Sequence, residues 1–536
     1  MPFLKAKFTP IILLIIVLLF YFYTGMKGID FGTHWDEYLI MGSIQKSAET
    51  GVWLPGWYNY PSVSYDLGMS TSLAYAFLKG NFDQASIGQF IKRLVDNSAL
   101  FLRVRVVFLA ITLLGVVWVF LLVYHWHRSR WEAFIAAGLL ASSWELAYHA
   151  RWVAPDAILM QFAALTMLCV VQAWQSEKRQ YFWLILAAIS AGLSLGSKYP
   201  GGLLILPVLL TLFLMRKIRP DKYELYLQKS VSVSFLLRLR VHFRSHLLKC
   251  IFLIVIFAGA FLLTTPGMVL QPTRFQGDLG YEMQHYSQGH RGFTVTEISE
   301  HSPLVLTYLA LVAFSPYWPA ALFVFILALV GIYVLIRDNK YQALVFLTFP
   351  MLYFLYFSLQ RVMFVRNYLV LFPFMAVLAG HGASFITHLF QRRSLQYAFT
   401  ILLAALLVLN FTWQFIAARS VQFRQQIDPV HDTISYIQNH PETQFALSPA
   451  TRILLPEEVT QGLSNLVSDP LTAQVYIIVN KYDQFPKGVY LMANQPGRYT
   501  LISGELAVNY DYYPNWPELA VLGVLVEEAK QMRLIQ

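Results

Sequence analysis

AYHARWVAPDAILMQFAALTMLCVVQAWQSEKRQ, residues 147–180, is the stretch on which the reading of the fold turns. From Ala157 to Ser176 it carries no charged side chain. A helix needs about 20 apolar residues to cross the hydrocarbon core of a bilayer, and positions 155–174 supply them. Charge stands at both ends of the run, with Arg151 and Asp156 before it and Lys178 and Arg179 after it. A buried helix of a soluble core has no reason to sort its charges in this way, and a membrane span does.

Outward from this stretch the pattern repeats. Apolar runs fall at 9–25, 102–124, 131–148, 155–174, 181–197, 200–215, 249–265, 317–336, 341–359, 367–388 and 396–418. The expectation is an α-helical polytopic membrane protein with about eleven transmembrane helices. Composition agrees: 57% of the 536 residues are hydrophobic and 13% are charged, against about 25% charged in a soluble domain. The first run follows Lys5 and Lys7 as a signal peptide would, but it lacks a small-x-small cleavage site and ends in Tyr21, Phe22 and Tyr23. It reads as an uncleaved anchor. Cys169 and Cys250 both lie in or beside apolar runs, so neither a disulfide framework nor a cysteine metal site is expected.

Short loops rich in Lys and Arg stay cytoplasmic. With the N-terminus inside, the inner loops hold Lys5 and Lys7, Arg128 and Arg130, Lys178 and Arg179, Arg337 and Lys340, and Arg392 and Arg393. They also hold the basic stretch 216–249, with Arg219, Arg238, Arg240 and Arg244. The net charge of +10 is therefore a topology signal that also favours anionic membrane lipids, and it makes no case for nucleic acid. Three longer segments fall on the opposite, extracytoplasmic side: 26–100, 266–316 and 419–536. The chain thus divides into a transmembrane domain, 1–418, and a small C-terminal α/β domain, 419–536. In the latter, 428–440 has helical spacing, 473–482 and 487–493 read as strands, and the end of the chain from Pro517 reads as a helix. Neither a solenoid repeat nor the inverted repeat of a transporter is visible.

Chemistry-bearing residues gather on the outer side. Asp36 and Glu37 lie about ten residues past the first span, where a carboxylate serves as a general base, holds a cation, or simply caps a short interfacial helix as a solvated pair. Asp156 follows Pro155, so it is placed either to cap the next span or to face the same outward cavity as Asp36. Arg151 and Lys198 sit in very short turns between spans, and charges at a membrane boundary are costly unless they are paired or face water. Lysine suits phosphate as a point charge, and it also snorkels to headgroups. Arg361 and Arg366 run against the positive-inside trend, which marks Arg366 as an anion ligand. His285, His290 and Arg291 cluster near Glu282, at a spacing that matches no standard zinc motif. Polar contacts to a headgroup or sugar are the expectation there.

Five passages resemble the polyprenol-phosphate-sugar-dependent glycosyltransferases of the GT-C fold, relatives of protein O-mannosyltransferases and of the aminoarabinose transferase that modifies lipid A. HWDEYLI is similar to their first-loop Asp-Glu motif, and NYPSVSYDL to the His-Pro-Pro-like segment after it. HARWVAPDAILM resembles the Arg…Asp motif, AGLSLGSKYPGG the Gly-Leu…Thr-Lys-Tyr segment with Ser197 in the Thr place, and RNYLVLFPF the Arg-Tyr…Pro passage with Asn367 inserted. The resemblance covers residues 1 to about 420. It implies Asp36 as catalytic base with Glu37 and Asp156 as further acidic groups, and Lys198 and Arg366 near the lipid phosphate. Arg151, Tyr60, His285 and His290 complete the expected substrate contacts; Tyr60-Pro61-Ser62 departs from the family, so a histidine role is lost there. The implied partners are a polyprenyl-phosphate-sugar donor, an acceptor glycan, lipid or protein, and membrane lipids. No metal ligand and no certain cofactor is assigned; some relatives use a divalent cation, Mg or Mn, which the set Asp36, Glu37 and Asp156 could hold. The implied place is the cell membrane. The rival class, a transporter or flippase for lipid-linked sugars, calls for polar groups at mid-membrane depth, whereas these charges sit at span ends.

Overall fold

The computed structural model describes residues 8–27, 29, 35–96, 99–218, 235–289, 294–295, 297–424, 429–455, 457–479, 499–503 and 521–535. Described residues up to Ala418 form one compact unit, and those from Arg419 on form a second.

The first unit is helical. Among the described residues nine helices are long and apolar enough to cross a membrane. They are α1 (Thr9–Met26), α5 (Ala99–His127), α8 (Pro155–Gln175), α9 (Gln180–Ser197), the Leu247–Thr264 part of α11 (Phe235–Thr264), α15 (Trp318–Asp338), α16 (Lys340–Ser358), the segment Val365–Leu389 and the start of α18 (Arg393–Arg424). Of Val365–Leu389, the part Val365–Leu371 is a 3-10 turn and Phe372–Leu389 is α17. Two expected spans take another form. The run 131–148 is broken into α6 (Arg130–Ser142) and α7 (Trp144–His149). Ser143 makes the break: its backbone is extended, its Oγ accepts from Leu146 N to cap α7, and it donates to Ala313 O at 2.8 Å. The run 200–215 opens as a 3-10 turn, Tyr199–Leu204, before α10 (Ile205–Ile218), because Pro200 and two glycines follow Lys198.

The segments expected as long loops are also helical. Residues 26–100 hold α2 (Trp35–Thr50), α3 (Val63–Leu78) and α4 (Gln84–Asp96). These pack on the start of α5 through one cluster that includes Ile40, Ile44, Met69, Ile91, Val104 and Phe108. Their apolar faces were masked in the sequence by the Trp, Tyr, Pro and Gly between them. Residues 266–316 hold α12 (Gly267–Leu270), α13 (Pro272–Gln288) and α14 (Ile298–Leu311). Of the nine long apolar helices, α8 and the segment 365–389 are the most enclosed. These two carry Asp156 and Arg366.

The second unit holds α19 (Pro429–Gln438) and a sheet of β1 (Phe445–Leu447), β2 (Val475–Val479), β3 (Tyr499–Ser503) and β4 (Val521–Leu525), in the order β1-β2-β4-β3. The β1–β2 pair is parallel and the other two are antiparallel. Alternate residues feed two cores: Ala446, Tyr476, Ile478, Leu522 and Val524 on one face, and Phe445, Leu447, Ile477 and Val521 on the other. The end of the chain corrects the sequence reading. VLGVL at 521–525 is a central strand, and of the described residues there Val526–Gln531 is the helical part. Burial on both faces explains a continuous apolar run that helical periodicity cannot distinguish. The strand expected at 487–493 lies outside the described residues.

Candidate functional site

The chain builds the site at the ends of α8, α9 and α16 and in the 3-10 turn before α17. Pro155 occupies the first turn of α8, where its missing N–H costs nothing. Asp156 is next, in the first turn of α8, and its carboxylate meets Lys198, with Nζ 2.7 Å from Oδ1. Lys198 is the residue that ends α9, in extended conformation. The 3-10 turn after it folds tightly against α8. A Cβ at Gly201 would lie 2.4 Å from Ser194 O and 2.6 Å from Leu159 Cδ1, so this close approach requires glycine.

Arg366 and Asn367 complete the cluster from the turn before α17. Arg366 Nε stands 3.9 Å from Asp156 Oδ2, and Lys198 donates to Asn367 Oδ1 at 2.5 Å. Tyr286 on α13 reaches the same Asn367 oxygen at 3.4 Å, and Tyr353 on α16 donates to Asn367 O at 2.8 Å. The turn is held from behind by Tyr368, whose hydroxyl meets His301 Nε2 at 3.0 Å, while His301 Nδ1 contacts Gln360 O at 2.7 Å. Two cations thus converge on one carboxylate, all three groups being buried. Burial works against the charge on Lys198, but Asp156 and Tyr286 together outweigh it and the ammonium pKa is raised. Burial, reinforced by Arg366, lowers the pKa of His285.

A cleft opens beside Lys198, lined by Asn59, Tyr60, Glu282, Tyr286, Tyr356 and Phe357 among others. The segments 26–100 and 266–316 meet around it. Tyr58 N donates to Asp278 Oδ2 at 2.8 Å, Asn59 Nδ2 to Glu282 Oε1 at 2.7 Å and Tyr199 Oη to Tyr58 O at 2.6 Å. The Tyr60 ring lies 5.8 Å from Lys198 Nζ. His285 stacks near Phe364, and the Arg366 guanidinium lies over that same ring at 4.6 Å. Tyr60, His285, Lys198, Arg366 and Asp156 are therefore neighbours.

Glu37 and Arg151 have other partners. Glu37 is fully buried and receives Arg105 Nε on Oε1 at 2.9 Å and Arg105 Nη2 on Oε2 at 2.5 Å, with Val153 N on Oε1 at 2.9 Å. Arg105 also donates to Ile29 O at 2.8 Å. Glu37 thus ties α2 to α5 and to the approach to α8. Arg151 donates to Ala147 O at 2.9 Å and Thr24 O at 3.0 Å, bracing α7 against α1. The side chain of Asp36, and all of His290, lie outside the described residues. Of the three acidic groups that could hold a divalent cation, Glu37 is accordingly committed to Arg105 and Asp156 to Lys198. Sequence reasoning missed Arg105, Asn367, Tyr286 and His301. Arg105 carried a signal, a charge inside an apolar run; the other three carried none.

No curated protein matches the chain. Among solved structures it is similar to ArnT from Cupriavidus metallidurans bound to undecaprenyl phosphate, at 12% identity over 97% of this chain and 98% of that one, with a TM-score of 0.47. It is similar also to the oligosaccharyltransferase AglB from Archaeoglobus fulgidus in complex with an inhibitory peptide and a dolichol-phosphate, at 13% identity over 88% of this chain and 66% of that one, with a TM-score of 0.46. A family model, dolichyl-phosphate-mannose-protein mannosyltransferase, matches residues 65–265. The matched stretch takes in Asp156 and Lys198, and through it the chain carries a glycosyltransferase domain similar to those of the dolichyl-phosphate-mannose-protein mannosyltransferase family.

Proposed function

We propose that the protein transfers a sugar from a polyprenyl-phosphate-linked donor to an acceptor glycan, lipid or protein on the extracytoplasmic side of the cell membrane. The observation that carries this reading is the buried convergence of Lys198 and Arg366 on Asp156, beside a cleft lined by Tyr60 and Glu282. Buried cations at helix ends, fixed by Asn367 and the tyrosines, suit a phosphate that gains charge as the sugar leaves. Such preorganised partners lose no reorganisation energy during the reaction.

In this reading Asp36 takes the proton from the acceptor hydroxyl or amine. The freed atom attacks the anomeric carbon, the carbon–oxygen bond to phosphate breaks with inversion, and the polyprenyl phosphate departs onto Lys198 and Arg366. Glu37 positions the start of α2, where Asp36 stands, through its pairing with Arg105. Tyr60 and His285 line the sugar's place. A divalent cation, Mg or Mn, enters this reading only through Asp36, since the other two carboxylates are ion-paired. The transporter alternative gains nothing from the buried site, whose charges are clamped to one another.

The test is donor binding and sugar transfer by purified protein in lipid. Lys198→Ala and Arg366→Ala are expected to weaken donor binding, and Arg366→Lys to restore it only in part, because lysine lacks the planar fork. Asp36→Asn is expected to bind donor normally yet transfer at least roughly 100-fold more slowly, the scale of a lost general base. Parental donor binding by both alanine variants would remove the phosphate assignment, and parental transfer by Asp36→Asn would remove the base.

A further inference from the structure

A second cluster of ligating groups lies far from the transfer site. His127 ends α5, Glu132 stands in the first turn of α6, and His381 lies midway along α17. From Arg105, beside Glu37, to His127 the helix α5 climbs about 33 Å. This cluster is therefore at the other end of the helical unit from Asp156 and Lys198.

His127 Nδ1 and His381 Nδ1 both meet one oxygen, Glu132 Oε1, the latter at 3.0 Å. One ligand atom from each of the three residues lies within 4.8 Å of the others. The two imidazoles sit with centroids 4.3 Å apart, a spacing that disfavours protonating both rings. Glu132 Oε2 makes no hydrogen bond among the described residues. Glu132 is buried, and the histidines are 17–18% exposed, so an ion reaches the cluster from the rim.

Local structure fixes the three groups independently. Ser129 caps α6 by accepting from Glu132 N. The Ser-x-x-Glu spacing at 129–132 would ordinarily bring the glutamate back to the cap's own N–H, but here its carboxylate is turned to the two histidines. His381 is set by a close approach of α17 to α6, where a Cβ at Gly380 would lie 2.9 Å from Ala136 Cβ. Ala136 is one helical turn beyond Glu132.

We propose that His127, Glu132 and His381 bind a divalent transition-metal ion of the zinc class. Two imidazoles and one carboxylate form a donor set suited to zinc, with bonds of about 2.0–2.2 Å and ligand atoms roughly 3.3 Å apart, leaving a fourth position for water. Imidazole donors disfavour magnesium and calcium. The ion staples the α5–α6 turn to α17, and it has no part in the transfer step proposed above.

The experiment uses tag-free full-length protein in detergent, stripped with a chelator and titrated with zinc chloride. Expected results are about one zinc per chain by elemental mass spectrometry, a raised unfolding temperature, and zinc-edge X-ray absorption showing imidazole scattering with nitrogen and oxygen at about 2.0 Å. His381→Ala and Glu132→Gln are each expected to weaken binding at least roughly 10-fold, since losing even an outer-shell partner of a ligand typically costs that much. Failure of the parent protein to retain zinc would overturn the site, as would parental affinity in a His127→Ala/His381→Ala double variant. If the variants do not fold, absorption on the parent protein decides alone: a first shell without imidazole rejects the proposal.

Discussion

Asp66 stands in the first turn of α3, where the partial positive charge of the helix start favours a carboxylate. Burial outweighs that benefit and pushes its pKa up to about 7. The unfolded chain would hold the ordinary value of 3.8. Below that value both states carry the proton and nothing is lost. As pH rises from about 4 to 7 the unfolded chain ionises first, so folded stability falls, and the full penalty is present above 7. Asp66→Asn removes the titration. Its unfolding midpoint, followed by thermal denaturation in detergent, should exceed that of the parent at pH 8, and the gap should close as pH falls from 7 to 4. A gap independent of pH would show that Asp66 is not the group responsible. At this scale legibility divides by chemistry. Asp156, Lys198 and Arg366 could be picked from sequence because a charge at the end of an apolar run is conspicuous. Asn367 and Tyr286 could not, since a neutral polar group becomes significant only when a helix remote in sequence brings it to Lys198.

Element-scale reading succeeded where hydrophobicity is continuous and failed where partners decide. The long spans were plain. The break at Ser143 depends on Ala313, which is remote in sequence, and the strand Val521–Leu525 depends on pairing with β2 and β3. Asp-Glu at 36–37 looked like a pair with one role, yet Glu37 is the anchor by which α2 is held to α5 and to Val153. That anchor makes a prediction. Arg105→Met leaves the Glu37 carboxylate buried without its cation, which typically costs roughly 3–5 kcal/mol. Glu37→Gln with Arg105→Met removes both charges and should recover much of that loss. Unfolding of the three proteins in matched detergent checks this: a double variant no more stable than Arg105→Met alone would mean that the ion pair is not what holds α2.

At the scale of the whole unit, contacts fix which helix ends share a face, and this settles the two irregular spans. Asp156 opens α8 and Lys198 closes α9, and their ion pair puts both on one face. Arg105 near the start of α5, Glu37 and Val153 share a network, and Val153 is three residues from Asp156, so they lie on that face too. His127 and Glu132, at the far end of α5, are on the other. The chain from Glu132 to Val153 therefore crosses through α6 and α7 despite the break. The chain leaving Lys198 must also cross, because α11 returns to the site face at Thr265, which receives Ser62 N at 3.2 Å. With α1 closing beside Arg105 at Ile29, the described helices make an odd number of crossings, and the two ends of the unit are on opposite sides. Lys and Arg crowd the turns on the His127 side, and by the positive-inside trend we propose that this side is the cytoplasmic one. A reporter active only outside the cytoplasm should then be active when fused after Gln536 and silent when inserted at Ser129, and the reverse pair of signals would invert the orientation and place the Lys198 site on the cytoplasmic side.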